Sequence, residues 1–228
     1  MPRLEAVAYG AGKYVAVGYT SFVDFDPIIL ASVDGGVSWT NVSFPQFAGN
    51  SFDFVSGYLN AIHWNGQKFI AVGKRSPLTG DDSRIILSSA DGTTWELVED
   101  DAEVPTELYS VTYGNNTWVA GGQYGGIVTS PTGASGTWIN RGELFYGGVY
   151  GLCFGAGKFV AGTDEGEIAY SANGSSWTKI GSNPFSSFDG SLYGVYLCYG
   201  DELGRFVAIG YTNSDDNPNR IAYSNVQD

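Results

Sequence analysis

The sequence predicts an all-β fold, a five-bladed β-propeller of mostly four-stranded antiparallel blades whose last blade lacks its outer strand. Three observations predict it: a composition rich in turn formers and aromatics, a segment that recurs five times, and turn residues placed for tight hairpins. The 228 residues include 33 Gly, and 15% are aromatic. That is enough large apolar area to offset the entropy of ordering the chain.

The recurring segments are Leu4 to Gly18, Leu59 to Gly73, Leu108 to Gly122, Val149 to Thr163 and Leu192 to Gly210. Their second-strand aromatics are Tyr14, Phe69, Trp118, Phe159 and Phe206, so successive repeats are 55, 49, 41 and 47 residues apart. Such periods fit one propeller blade per repeat. Each segment reads as a hairpin. Gly10-Ala-Gly, Asn65-Gly, Gly114-Asn-Asn and Gly155-Ala-Gly supply the positive-φ residues that two-residue hairpin loops need. The second strands, such as Tyr14-Val-Ala-Val and Phe159-Val-Ala, are nearly continuous apolar runs, which implies burial on both faces, as between stacked blades. The fifth hairpin is longer by four residues, two per strand, and this alignment puts Cys198 in the extension, out of step with Cys153. One domain is expected over 1–228, with blades at about 4–45, 59–98, 108–141, 149–180 and 192–228.

A second motif follows each hairpin. Ser32-Val-Asp34-Gly35-Gly36-Val-Ser-Trp39 resembles the Asp-box of bacterial neuraminidase-type repeats, S-x-D-x-G-x-x-W. Ser89-Ala-Asp91-Gly92-Thr-Thr-Trp95 and Ser171-Ala-Asn173-Gly174-Ser-Ser-Trp177 resemble it with one residue fewer. Ser130-Pro-Thr132-Gly133-Ala-Ser-Gly-Trp138 has lost the acid, and the fifth copy ends at Asp228 before any Trp. The resemblance implies a β-turn between the two outer strands of a blade, away from any catalytic centre. The expected roles are structural: Ser and Asp accept bonds from the N–H groups of their own turn, Gly takes a positive φ, and Trp pins the outer strand. With no outer strand, blade five is expected to expose a sheet edge or to meet a partner chain there.

Charge and motif content exclude several functions. With eleven Lys and Arg against 24 Asp and Glu, the net charge of −13 does not suit a phosphate backbone, so nucleic acid is not an expected partner. No apolar run reaches membrane-helix length, and membrane insertion is not expected. The first residues lack a basic and apolar leader pattern, so the chain is expected to be made in the cytoplasm without a signal peptide. Cys153 and Cys198 form neither a disulfide framework nor a zinc pattern and read as small buried residues. No cofactor and no metal is expected: Asn213 to Asn217 and Asp81-Asp82 offer oxygen ligands without EF-hand spacing.

The Asp-box resemblance makes a sialidase the first enzyme to consider. Sialidase chemistry needs an arginine cluster, but Arg205 sits at the turn position held by Lys13, Lys68 and Lys158, and Arg84 and Arg220 both open a third strand. Arg3, Arg75 and Arg141 lie on unrelated segments. His63, the single histidine, holds a strand position occupied by Ala8, Thr112 and Cys153 elsewhere. The chain is therefore expected not to be an enzyme. The long loops share one face of a propeller and carry aromatics among polar groups. The expected contact residues are Phe22, Phe25, Phe52, Asp53, Phe54, Phe188, Asp189, Tyr211 and Asn217, with Tyr58, Phe145 and Tyr146 on the same face. The expected function is recognition or assembly, with a glycan or protein partner. Similar repeats in tailed-phage virion proteins imply a virion setting, reached after host lysis, as a lectin-like or decoration component.

Overall fold

The computed structural model describes residues 2–21, 25–43, 54–77, 81–98, 105–180, 192–200, 204–212 and 221–223; side chains at 54–55, 77, 192–200, 210–212 and 221–223 lie outside that description. The strands form five antiparallel sheets in chain order. Blade one holds β1 (Arg3–Gly10), β2 (Lys13–Tyr19), β3 (Pro27–Ser32) and β4 (Thr40–Val42). Blade two holds β5 (Phe54–Trp64), β6 (Phe69–Pro77), β7 (Ser83–Ser89) and β8 (Glu96–Leu97). Blade three holds β9 (Leu108–Gly114), β10 (Thr117–Gly122), β11 (Gly126–Ser130) and β12 (Ile139–Glu143). Blade four holds β13 (Val149–Gly155), β14 (Lys158–Thr163), β15 (Ile168–Ser171) and β16 (Thr178–Lys179). Blade five has three described strands, β17 (Leu192–Gly200), β18 (Arg205–Thr212) and β19 (Ile221–Tyr223). Within every sheet each strand pairs with its sequence neighbour. The first strands β1, β5, β9, β13 and β17 pack on one another in turn, so they line the axis of the array.

Three of the hairpin turns place both central residues at positive φ, Ala11 with Gly12, Asn115 with Asn116, and Ala156 with Gly157. This is the two-residue turn whose twist matches that of the strands it joins. The fifth hairpin corrects one expectation. Its register runs from Gly200↔Arg205 through Cys198↔Val207, and that of blade four from Gly155↔Lys158 through Cys153↔Val160. Counted from the turn, Cys198 is thus the counterpart of Cys153. Two of the four extra residues fall between Gly200 and Arg205, and the other two lengthen β17 at its far end.

The core lies between the blades. Val15 and Val17 of β2 meet Leu59, Ile62, Phe69 and Trp95 of blade two. Ile70 and Val72, on the opposite face of β6, meet Leu108, Val111, Trp118 and Trp138 of blade three. Val119 and Ile127 meet Val149, Leu152, Phe159 and Trp177 of blade four. Alternate residues of one strand therefore serve two interfaces, which is why these strands are apolar throughout.

The Asp-box turns are held by their own side chains. Ser89 Oγ accepts from Gly92 N at 2.8 Å, while Asp91 Oδ1 accepts from Thr93 N at 2.8 Å and Thr94 N at 2.7 Å. Asn173 Oδ1 does the same for Ser175 N and Ser176 N, both at 2.9 Å, so the turn needs an acceptor and not a charge. In blade one the extra glycine moves the bonds one residue on: Gly36 N donates to Ser32 Oγ and Ser38 N to Asp34 Oδ1, each at 2.9 Å. Gly36, Gly92 and Gly174 have φ of +89, +73 and +71. Hydrogen bonds from Ser38 and Ser32 hold the Asp34 carboxyl down to about 2, and bonds from Thr94 and Thr93 hold Asp91 well below its ordinary range.

His63 sits between blades two and three, edge-on to Trp118 at 5.8 Å. Burial lowers its imidazole from 6.5 to about 4. The folded state thus binds fewer protons than the unfolded state between those values. This part of the stability is complete above about pH 6.5 and is lost as the pH falls towards 4, in all at most about 3 kcal/mol. His63→Gln is expected to remove the decline in that window. Urea midpoints of both proteins at pH 7 and pH 4.5 check it, and parallel shifts in the two would assign the decline to other groups.

Candidate functional site

The connections between second and third strands emerge on the same face as those leading into the next blade. Phe25 O accepts from Gly57 N, Arg84 Nη1 donates to Pro105 O at 2.8 Å, and Thr106 Oγ1 donates to Gln123 Oε1 at 2.7 Å. The hairpin and Asp-box turns share the opposite face, where Asn115 Nδ2 donates to Gly157 O at 3.1 Å and Ala172 O at 2.9 Å.

On the long-loop face each axial strand carries an irregularity near its start. The register skips between Leu4 and Ala6, between Leu59 and Ala61, between Leu108 and Ser110, and between Val149 and Gly151. At these skips Glu5, Asn60, Tyr109 and Tyr150 are therefore β-bulges with no partner in the ladder, and β5 has a further skip between Phe54 and Ser56. In blade five the skip falls between Leu192 and Val195. A bulge re-aims its side chain and bends its strand. It also brings strand backbones together. A Cβ on Gly18, Gly73 or Gly122 would lie 1.9 Å from the carbonyl oxygen of Arg3, Tyr58 or Glu107.

The bulges assemble a polar aromatic cluster around the axis. The Tyr109 and Tyr150 rings stack at 4.3 Å and 8°. Tyr58 Oη donates to Glu107 Oε1 at 2.9 Å, and Asn60 Nδ2 donates to Leu108 O at 2.8 Å. Tyr19 and Phe25 flank Tyr58 at 6.0 and 6.1 Å. Burial pushes the Glu107 carboxyl up, against the pull of the Tyr58 and Asn60 hydrogen bonds and of the Lys74 charge. Burial first, then the Glu107 charge, push the Tyr58 and Tyr109 phenols up as well. In all three the first cause is burial, which favours the neutral form of each group.

A second feature adjoins it. The turn Gln123–Gly125 holds Tyr124 at φ +56, a left-handed conformation that bulky side chains seldom adopt. A Cβ on Gly125 would lie 2.1 Å from Phe145 O, so this turn packs tightly under the loop entering blade four. The two segments enclose an open cleft of about 520 Å³ whose walls include Tyr124, Phe145, Tyr146 and Lys179. Lys179 Nζ lies 2.7 Å from Glu167 Oε1 and 5.3 Å from the Tyr146 ring centre. Gly148 joins cleft to mouth, since a Cβ there would meet the rings of Tyr109 and Tyr150.

Of the contact residues expected from sequence, Phe25 is described, and it packs beside Tyr58 at the mouth. Phe54 and Tyr211 lie on β5 and β18 with undescribed side chains, and Phe22, Phe52, Asp53, Phe188, Asp189 and Asn217 lie outside the described residues. Asn60, Glu107, Tyr109, Tyr150 and Tyr124 were not among the residues expected from sequence. A signal existed for the tyrosines: Tyr109, Tyr150 and Tyr193 each follow the first apolar residue of a repeat. Four arginines have assigned partners: Arg84 bonds the Pro105 carbonyl, Arg3 pairs with Glu5 at 2.6 Å, Arg75 bonds Ser83, and Arg141 bonds Thr129. Among the described residues no group of three metal-ligating side chains occurs, and no helix is long and apolar enough to cross a membrane.

No family model matches the chain, and neither does any curated protein. Solved structures do. A YCF48 structure bound to a D1 peptide superposes with a TM-score of 0.64 at 17% identity, over 98% of this chain and 65% of that one. Trypanosoma rangeli sialidase in complex with sialic acid gives 0.62 at 14% identity, over 97% and 44%. YCF48 from Cyanidioschyzon merolae gives 0.57 at 15% identity, over 98% and 71%. The chain thus spans less than two thirds of the first two of these structures. Together with the antiparallel sheets set around an axis, these likenesses show that the chain has the all-β propeller fold.

Proposed function

We propose that the chain is a non-enzymatic recognition or assembly module whose long-loop face binds a protein segment presenting a Lys or Arg side chain. The observation that carries this reading is the half-buried Glu107 carboxylate set among Tyr58, Tyr109 and Tyr150 at the axis. Ring faces and a partly desolvated carboxylate attract a cation and repel an anion. The net charge of −13 would steer a basic partner towards it. The superposable YCF48 structure bound to a D1 peptide supports a polypeptide ligand. From the Asp-box resemblance we place the module in a tailed-phage virion, as an attachment or decoration component. Mass spectrometry of purified particles tests that setting.

The test of the binding reading is fluorescence anisotropy with labelled peptides, basic, neutral and acidic, beside a glycan array. Basic peptides are expected to bind, and Tyr109→Ala is expected to weaken them by about tenfold, the loss of one cation–π contact with some desolvation. Affinity should rise with pH as Glu107 ionises, above the usual carboxylate range, and Glu107→Gln should abolish that rise. Sugar binding without peptide binding would make the module a lectin instead, and a pH-independent affinity would remove Glu107 from the site.

A further inference from the structure

The internal repeat defines what each blade face should meet, and among the described residues two faces meet nothing of the kind. In blade two Leu59, Ile62, Phe69 and Trp95 are 0, 8, 0 and 6% exposed against the preceding blade. Their counterparts in blade one, Leu4, Val7, Tyr14 and Trp39, are 47, 59, 38 and 37% exposed. Three of these, Leu4, Val7 and Trp39, line a groove of about 310 Å³ together with Ala16. The complementary half of a blade interface is the β-branched face of the second strand: Val15 and Val17 in blade one, Ile70 and Val72 in blade two, all fully buried. In blade five the same positions are Val207, half-buried, and Ile209, 46% exposed. Among the described residues β17 has no packing on β1 comparable to that joining every other successive pair of axial strands.

We propose that the blade-one face seats blade five of a second copy of this chain, so that the protein associates head to tail. One molecule carries both halves of an interface of the kind that it already builds between its successive blades, and the two halves lie on blade one and blade five. A contact between two different patches of identical chains is heterologous and either closes a ring or runs on as a filament. The groove admits it electrostatically, because its one charged lining residue, Glu5, is bridged by Arg3.

The experiment pairs Val7→Lys, which blocks the groove, with Ile209→Lys, which blocks its complement. Both positions are exposed within one chain, and thermal melts should match those of the wild type. Light scattering is expected to show wild-type mass rising with concentration above the 24.3 kDa of one chain. Each variant alone should need at least about ten times the concentration to associate, because seating a lysine in an apolar contact desolvates its charge. An equimolar mixture of the two should recover a species of two chains and no more, since each supplies the half that the other lacks. A wild type that stays monomeric at every concentration overturns the proposal, whether blade five closes on its own blade one or a foreign protein fills the groove. So does a mixture that stays monomeric, or a single variant that associates as the wild type does.

Discussion

Trp95→Ala is expected to lower the free energy of unfolding by about 3–5 kcal/mol, the usual range for deleting a large buried aromatic side chain. Three observations set it at that level. The ring is buried in the core shared by blades one and two and contacts Phe69 at 6.1 Å. Its indole N–H has no hydrogen-bond partner among the described residues, so the loss is one of apolar packing. The turn that delivers it is fixed by Asp91 and Ser89, which leaves the neighbouring backbone little freedom to collapse into the cavity. Trp39→Ala supplies the contrast. That ring is 37% exposed, and its N–H donates to Gly36 O at 3.0 Å. In dilute solution its loss should cost well under half as much. Denaturant midpoints of the two variants check the difference. Equal losses would mean that Trp39 is as well buried in solution as Trp95, and a near-unchanged midpoint for Trp95→Ala would mean that the blade register is wrong.

Much of this architecture was legible because its signals are local. Gly and Asn at the hairpin tips, the apolar runs of β2 and β14, and the Ser, Asp, Gly and Trp of the boxes act within a few residues of themselves. The candidate site was less legible because it is made across blades. Tyr58 and Glu107 are 49 residues apart and meet only because β5 and β9 are adjacent at the axis. A bulge at Asn60 or Tyr109 has no signature of its own, since one unpaired residue leaves the apolar pattern on either side intact. The mark it does leave is the glycine across the ladder, at 18, 73 and 122, which reads from sequence as an ordinary strand end. The exposed face of blade one was hidden for a related reason: Leu4, Val7, Tyr14 and Trp39 match their buried counterparts in type, and only the arrangement of the ends distinguishes them.

Gly122→Ala should therefore be among the most damaging single-methyl changes in the molecule, with Gly18→Ala and Gly73→Ala, and its expected loss is about 3 kcal/mol or more. Adding a methylene to a packed core usually costs 1–3 kcal/mol, with side chains giving way. Here the obstacle is backbone: the new Cβ would stand 1.9 Å from Glu107 O and 3.0 Å from the Leu108 Cα. No rotamer change relieves that contact, so the bulge at Tyr109 or the pairing of β9 with β10 must yield. The same carbonyl accepts from Gln123 N at 3.0 Å, which ties the strain to the turn carrying Tyr124. Blade four shows how a side chain is accommodated at the matching place. Thr163 stands there opposite Val149, and the residue before that valine is Gly148, whose carbonyl accepts from Asp164 N at 3.2 Å. The variant should thus lose stability and, at temperatures where it remains folded, also lose the affinity set by Glu107 and Tyr109. Thermal melts with peptide titrations measure both. A Gly122→Ala protein with wild-type midpoint and wild-type affinity would show that the bulge is not needed at this position.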